Sequence, residues 1–436
     1  MSWKNLTFGL ILWVWLSTGC GSPAGAAAGD YHFDHIKETY QLHDDKLYDY
    51  VLKELDQFAR LYPDYHNMAE VYLLMGRVQE EDKHIHLALA SYLKSLMLFP
   101  DDPSARTAAD NALRIIVDKD RYKDRIEFIR AKVQNRSDDG KADNAFAYVE
   151  LLDSIKHSKL NERCLAEYYD YLVHFNHDNR AEEVQIWLGD TYADIGQPQA
   201  AVASYLKFEK LFPVSFQLPS VRYRRAVLIN DKLDDPAGAG EILESVVEEF
   251  PDSKSAAFAL YKRAEIYYDQ KEYNKAVASY DQLAENYPDH QLAIDALFKA
   301  ADIQFKKLRA WQTTVDTYEK IVQWFPKKPK SADAMEEMGN IYLTKFKDYD
   351  KAAETYSHFA EQYPAHKKAP ELLFKAADLA EEQLQDFNRA VKYYRQVIDI
   401  FPDSENSRKA ARKIESIEER TGWEFNNEDT DSVGKP

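Results

Sequence analysis

Few residues in this chain are of types that do chemistry, and their spacing argues against most of what they could do. His84 and His86 flank Ile85. On a helix of about 3.6 residues per turn that spacing sets the two imidazoles about 200° apart, a poor geometry for one metal ion. Cys164, His174 and His177 form a second set, but no fourth ligand stands at a usual zinc spacing. Acidic residues are abundant, yet no two stand out as a general acid and its base. There is no glycine-rich phosphate loop and no nucleophile elbow. The chain therefore reads as a non-enzyme with no metal and no cofactor. The one covalent chemistry in view is at Cys20, behind Leu16-Ser17-Thr18-Gly19.

What would position Cys20 is a targeting segment. Lys4 supplies a positive start, Leu6 to Leu16 is an apolar run, and small residues follow. The run is shorter than the roughly 20 apolar residues that span a bilayer, so a secretory signal peptide is expected. Its end, residues 16–20, resembles a bacterial lipobox, in which the cysteine is acylated and becomes the new N-terminus. Ser17 stands where that pattern has an aliphatic residue. The resemblance implies a lipid anchor on Cys20, each buried methylene contributing about 0.8 kcal/mol. Cleavage at Ala26-Ala27-Ala28, with a soluble periplasmic or secreted product, is the alternative. Gly21 follows the cysteine where some inner-membrane lipoproteins carry aspartate, which implies the periplasmic face of the outer membrane. Residues 21–29 are only Gly, Ser, Pro and Ala, and read as a flexible tether.

Composition narrows the partners. With 56 basic and 74 acidic side chains the formal charge is −18, and a nucleic-acid partner needs a basic surface. One stretch, Lys306 to Lys330, is locally basic through Lys306, Lys307, Arg309, Lys320, Lys327, Lys328 and Lys330. It reads as a solvated face, the other reading being contact with anionic headgroups or an acidic partner. If Cys20 is acylated or removed, Cys164 has no disulfide partner and serves packing. Alternating β-branched runs are missing, so the fold is expected to be all-α.

The organisation is repetitive. Residues 255–289 hold two amphipathic segments split by Lys271-Glu272-Tyr273-Asn274 and closed by Tyr287-Pro288. The aromatic-proline stop recurs at Tyr62, Phe99, Phe212, Phe250, Phe325, Tyr363 and Phe401, and Phe175-Asn176 fills a missing slot, leaving one more near Ser137. Small residues keep the same period at Gly76, Gly189, Ala226, Ala264, Ala301, Gly339 and Ala377. A second series runs Ala88, Cys164, Ala201, Ala239, Ala276, Thr314, Ala352 and Ala390. A third runs Tyr92, Tyr168, Tyr205, Leu243, Tyr280, Tyr318, Tyr356 and Tyr394.

This order of small residue, Ala, Tyr and aromatic-Pro resembles the tetratricopeptide repeat, whose unit of about 34 residues is a helix pair stacked on the next. The period here is about 38, which the same pattern accommodates if helices or turns lengthen. The resemblance implies an α-solenoid of about ten helix-turn-helix units forming a right-handed superhelix. Residues 30–100 hold the N-terminal units, 101–176 two divergent hairpins, and 177–402 the regular array. A capping helix over 403–420 and a disordered acidic tail over 421–436 complete it.

In such repeats the first helices line a groove. Three positions before the small residue stand Tyr223, Tyr261, Phe298 and Phe374, with Glu336 interrupting; one position after it stand Asp190, Glu265, Asp302, Asn340 and Asp378. That register predicts a face taking a partner segment with apolar and basic residues. The other reading is that the rings pack between helices and the acids solubilise. The expected function is an envelope scaffold that binds proteins or peptides, similar in plan to the tetratricopeptide lipoprotein of the β-barrel assembly machinery and the Tol-Pal-associated periplasmic protein. A subunit of a secretion, pilus or motility complex is one alternative. A peptidoglycan- or carbohydrate-binding periplasmic protein is the other.

Overall fold

The computed structural model describes residues 23–118, 126–134 and 140–422. Among them there are helices and no strand. The chain divides into two compact units, residues 1–221 and 222–436. The first unit opens with α1 (Pro23–Tyr40) and α2 (Tyr48–Leu61), then α3 (Met68–Glu81) and α4 (Ile85–Leu98). It continues with α5 (Pro103–Asp118) and α6 (Ile126–Gln134), α7 (Lys141–Ile155) and α8 (Asn161–His174), and α9 (Ala181–Asp194) and α10 (Pro198–Leu211). Helix α11 (Leu218–Leu233), within which the division falls, pairs in sequence with α12 (Pro236–Glu249). The second unit then holds α13 (Lys254–Asp269) and α14 (Tyr273–Asn286), α15 (Ala293–Ile303) and α16 (Trp311–Trp324), and α17 (Pro329–Ile341) and α18 (Tyr349–Gln362). It ends with α19 (Ala369–Glu382), α20 (Phe387–Ile400) and the lone α21 (Glu405–Thr421), which packs on α19 and α20 as the expected cap. The described helices thus make ten pairs and a terminal helix, as the period predicts. The slot expected near Ser137 lies outside the described residues, as do the signal segment with Cys20 and the tail beyond Gly422.

Nine of the ten pairs end the same way for a local reason. Tyr62, Phe99, Phe175, Phe212, Phe250, Tyr287, Phe325, Tyr363 and Phe401 all sit just past the last turn of a second helix with φ between −125 and −133 and ψ between 38 and 59. A following proline excludes the helical conformation there. Phe175 does the same before Asn176, so the ring contributes as well: Phe175 lies 5.3 Å from Tyr171, Phe212 5.2 Å from Phe208 and Tyr363 5.6 Å from Phe359, each one turn back.

Within seven of the pairs, the turn between the helices explains the period. At His84, Gln197 and Glu272 the backbone N–H donates to the carbonyl five residues back; at Asp235, Ala310, Asp348 and Asp386 it donates six back. Measured between closing aromatics, the units with the shorter turn span 37 residues (62 to 99, 175 to 212, 250 to 287) and those with the longer span 38 (212 to 250, 287 to 325, 325 to 363, 363 to 401). One left-handed residue reverses the chain in each: Lys83, Gly196 and Lys271 in the shorter turns, Asp234, Arg309, Lys347 and Gln385 in the longer. Only one of these is glycine, so six side chains stand in a conformation that costs about 1 kcal/mol or more and is held by its surroundings.

The three periodic series form the contacts between the helices of a pair. Tyr92, Tyr205 and Tyr356 lie so flat on Gly76, Gly189 and Gly339 that a Cβ added to each glycine would come within 2.4 Å of the ring. In the second unit one core runs without a break from Ala226 to Ile417. The first unit has two cores, one around Phe33, Leu55 and Phe58 and another from Leu73 to Leu188. In the latter, α4 packs on α7 as well as on α5.

One expectation is corrected. Residues 23–29, read as part of a flexible tether, belong to α1. Alanine is the strongest helix former and Ala24, Ala26, Ala27 and Ala28 outweigh the two glycines, while Pro23 suits a first turn. Gly29 is also covered: the rings of Tyr65 and Tyr62 come within 3.3 and 3.4 Å of where its Cβ would lie.

Candidate protein-binding face

The second-helix tyrosines position the aromatic row. Tyr261, Phe298 and Phe374 stand on α13, α15 and α19, one turn ahead of their small residues, and each is half-buried. Tyr261 meets Tyr280 of its own pair at 5.3 Å and 69°, Phe298 meets Tyr318 at 5.7 Å, and Phe374 meets Tyr394 at 5.3 Å. Where Leu243 replaces the tyrosine, Tyr223 turns instead to Phe258 of α13, at 6.1 Å. The rings of Tyr261, Phe298 and Phe374 are thus braced by the second helix of their own pair and remain partly exposed.

The row one position after the small residues is partnered within the chain. In the first unit Asp190 accepts from the Tyr205 hydroxyl at 2.5 Å. In the second, Asn340 accepts from Tyr356 at 2.8 Å and Asp378 from Tyr394 at 2.6 Å, while Lys413 of α21 also reaches Asp378 at 3.1 Å. Burial, with the Asp378 and Glu381 carboxylates, pushes the Tyr394 hydroxyl well above its ordinary range. Asp302 pairs with Lys306 at 2.5 Å and Glu265 lies 3.9 Å from Lys262. These side chains orient the tyrosines and neutralise cations on their own helices, a role that spacing alone does not reveal.

Sequence reasoning also passed over a row two positions before the small residues. It holds Lys262, Lys299 and Lys375, with Glu337 in the fourth place. The Lys375 ammonium lies 4.6 Å from the centre of the Tyr356 ring and 3.1 Å from its hydroxyl, and burial pulls its pKa down. Burial raises the Glu337 carboxyl, helped by the neighbouring Glu336, which itself binds Lys368 at 2.6 and 2.8 Å. The signal was present in the same register and needed only to be read at one more offset. The face is therefore aromatic and charge-mixed.

The residues first considered for chemistry are placed apart. His84 Nδ1 lies 2.9 Å from Asp82, whereas His86 stacks on His157 at 3.5 Å. Cys164 is free and buried, its thiol pushed up to about 12 by burial. Among the described residues no group of three His, Cys, Asp or Glu side chains could hold a metal ion.

A tetratricopeptide-repeat family model matches residues 258–290, 295–327, 331–366 and 371–404, and a second matches 182–214. These five segments are tetratricopeptide repeats. Each begins within a first helix and ends in the turn beyond the second, so the family unit is the helix pair described above. No curated protein matches the chain. Similar solved structures include yeast Tom70, 15% identical over 90% of this chain and 96% of that one with a TM-score of 0.31. MamA from Desulfovibrio magneticus RS-1 is 20% identical over 42% of this chain and 97% of that one, TM-score 0.31. The Pseudomonas aeruginosa pilF protein is 18% identical over 54% and 98%, TM-score 0.29.

Proposed function

We propose that the chain is a non-catalytic scaffold of the bacterial envelope that holds a protein or peptide partner along the first-helix face of its tetratricopeptide repeats. The observation that carries the reading is the aromatic row Tyr261, Phe298 and Phe374, each ring fixed against a second-helix tyrosine while part of it stays open. Rings so fixed give contact area with little side-chain entropy left to lose. The charge-mixed rows beside them supply direction: an arriving basic group shares a carboxylate with Lys262 or Lys306, and an arriving acid meets Lys299 or Lys375. The partner segment is therefore apolar with charges of both signs, broader than the basic segment expected from sequence.

The envelope assignment rests on Lys4, the apolar run 6–16 and the sequence ending at Cys20. Acylation of Cys20 would hold the repeats at the periplasmic face of the outer membrane, in outer-membrane assembly or in coordinating envelope growth with division. No described helix is long and apolar enough to cross a membrane. Labelled palmitate is expected to enter the wild type and not Cys20→Ser; label in both would end the anchoring reading. Affinity capture from detergent-solubilised envelopes is expected to return defined proteins, fewer with Tyr261→Ala and Phe298→Ala together at unchanged helicity. Recovery of glycan alone, or of the same proteins with the double variant, refutes the groove.

A further inference from the structure

The basic stretch Lys306 to Lys330 divides between opposite ends of the helices. Lys320 and Lys330 reach back to Glu285 and Asp295. Lys306, Lys307 and Arg309 instead lie at the turn joining α15 to α16, where the neighbouring turns add to them. The left-handed residue of three successive turns is a cation, Lys271, Arg309 and Lys347, and all three are exposed. Beside them Lys307 and Lys345 stand one unit apart, each over the rings of the preceding pair. Lys307 lies 5.7 and 5.9 Å from the ring centres of Tyr268 and Tyr273, and Lys345 lies 5.3 and 5.9 Å from those of Phe305 and Trp311. Tyr273 and Trp311 are the first residues of α14 and α16, an aromatic place in the repeat that Tyr349 and Phe387 continue.

In a chain of formal charge −18, this edge is a local reversal. Its acids are largely engaged: Glu272 with Lys275, Asp302 with Lys306, Asp348 with Lys351 and Asp350 with Arg389. No described acid pairs with Lys271, Lys307, Arg309, Lys345 or Lys347. Apolar surface is interleaved with the cations, Tyr268 being 36% and Phe346 38% exposed.

We propose that this turn edge of α13 to α18 is a second docking surface, separate from the first-helix face, and that its occupant is an acidic peptide segment carrying aromatic or aliphatic residues. Carboxylates on the segment meet the five cations, and its apolar side chains meet Tyr268 and Phe346. Two features favour a peptide over a membrane. A plane of anionic headgroups faces every charge on the edge at once, including Asp269, Glu272 and Asp350, and responds to their sum. A narrow strand can follow the cation row between those acids. Lys307 and Lys345 are also held over rings, which fixes their ammoniums as points for specific acceptors.

The test uses the full chain with a fluorescein-labelled peptide of alternating Glu and Phe, followed by anisotropy at low ionic strength, where such attraction is least screened. The wild type is expected to bind, and Arg309→Glu with Lys347→Glu to weaken binding by about tenfold or more, a change concentrated in steered charge contacts. Because these two side chains are exposed, the melting curve should stay unchanged. Lys320→Glu with Lys330→Glu, at the other helix ends, should leave binding intact. Absence of binding, binding indifferent to the turn substitutions, or equal loss with Lys320→Glu and Lys330→Glu overturns the proposal. So does co-sedimentation with phosphatidylglycerol vesicles without peptide binding, or self-association of the chain that the turn substitutions abolish.

Discussion

The pair α7 and α8 and the pairs around it solve one packing problem differently. The residue before the buried tyrosine points into the joint between helices, and in most units it is a small hydroxyl. Ser91 donates to Gln79 at 2.7 Å, Gln185 donates to Ser204 at 2.6 Å, and Thr317 donates to Gln304 at 2.9 Å. In α8 that place is Glu167, 5% exposed, gripped by Lys94 of α4 at 2.7 Å and by Arg163 at 2.8 Å. The Lys94 ammonium lies 4.9 Å from the Tyr72 ring centre. A hydroxyl joins helices within one pair. The buried ions join α8 to a helix 73 residues away in sequence, across the stretch where the repeat pattern is weakest. Charge does there what regular stacking does elsewhere.

The comparison breaks most visibly at Glu167. Glu167→Ala strands two buried cations and is expected to cost about 3–5 kcal/mol, against about 1 kcal/mol for Ser204→Ala, both read from urea unfolding. Replacing the group together, Lys94→Met, Arg163→Met and Glu167→Leu, should recover most of the loss, because desolvation offsets much of what an ion group contributes. Equal costs for the two alanine substitutions would erase the distinction.

Acid sharpens it. Burial alone would raise the Glu167 carboxyl, but Lys94 and Arg163 overcome that and hold it below its ordinary value of 4.5. A carboxyl depressed in the folded state stabilises above its unfolded pKa and loses that contribution as pH falls through the folded one. The wild type should therefore lose stability relative to the triple variant below pH 4.5, and a constant difference from pH 7 to pH 3 would refute the assignment.

Within the regular array, Gly339→Ala drives a methyl into the Tyr356 ring and should cost about 1–3 kcal/mol. Ala301→Gly, at the same place under Tyr318, should cost about 1 kcal/mol by helix propensity alone. Tyr394→Phe, which removes donations to Asp378 and Glu381, is expected to lose about 1.5 kcal/mol in thermal melts. The smallest effect belongs to Lys413→Ala, whose contacts to Asp378, Glu381 and Glu382 are partly exposed and worth about 1 kcal/mol or less.

The helix pairs were legible because the restraint is local and repeated: an aromatic followed by proline stops a helix whatever surrounds it, and Gly or Ala facing Tyr at a fixed offset fits only a close helix joint. What escaped depends on chain segments that meet only after folding. Nothing near Glu167 in sequence announces Lys94. Six of the seven left-handed turn residues are Lys, Arg, Asp or Gln instead of the glycine that would have marked them. The aromatic row stands one turn before the small residues by spacing alone, while the acids beside it could not be known to hold tyrosine hydroxyls until the neighbouring helix was seen. The tether failed for a simpler reason: a run of alanines was read for its smallness and not for its helix propensity.

The coexistence of five-back and six-back closures has a consequence for how such chains change length. A residue added inside a helix would rotate everything after it by about 100° and carry the buried stripe toward water. Taken up at the reversal, the same residue is swallowed by a slightly wider bend and both cylinders keep their faces. Each joint thus works as an expansion gap, and insertions that would wreck other architectures can accumulate there as unobtrusive variation.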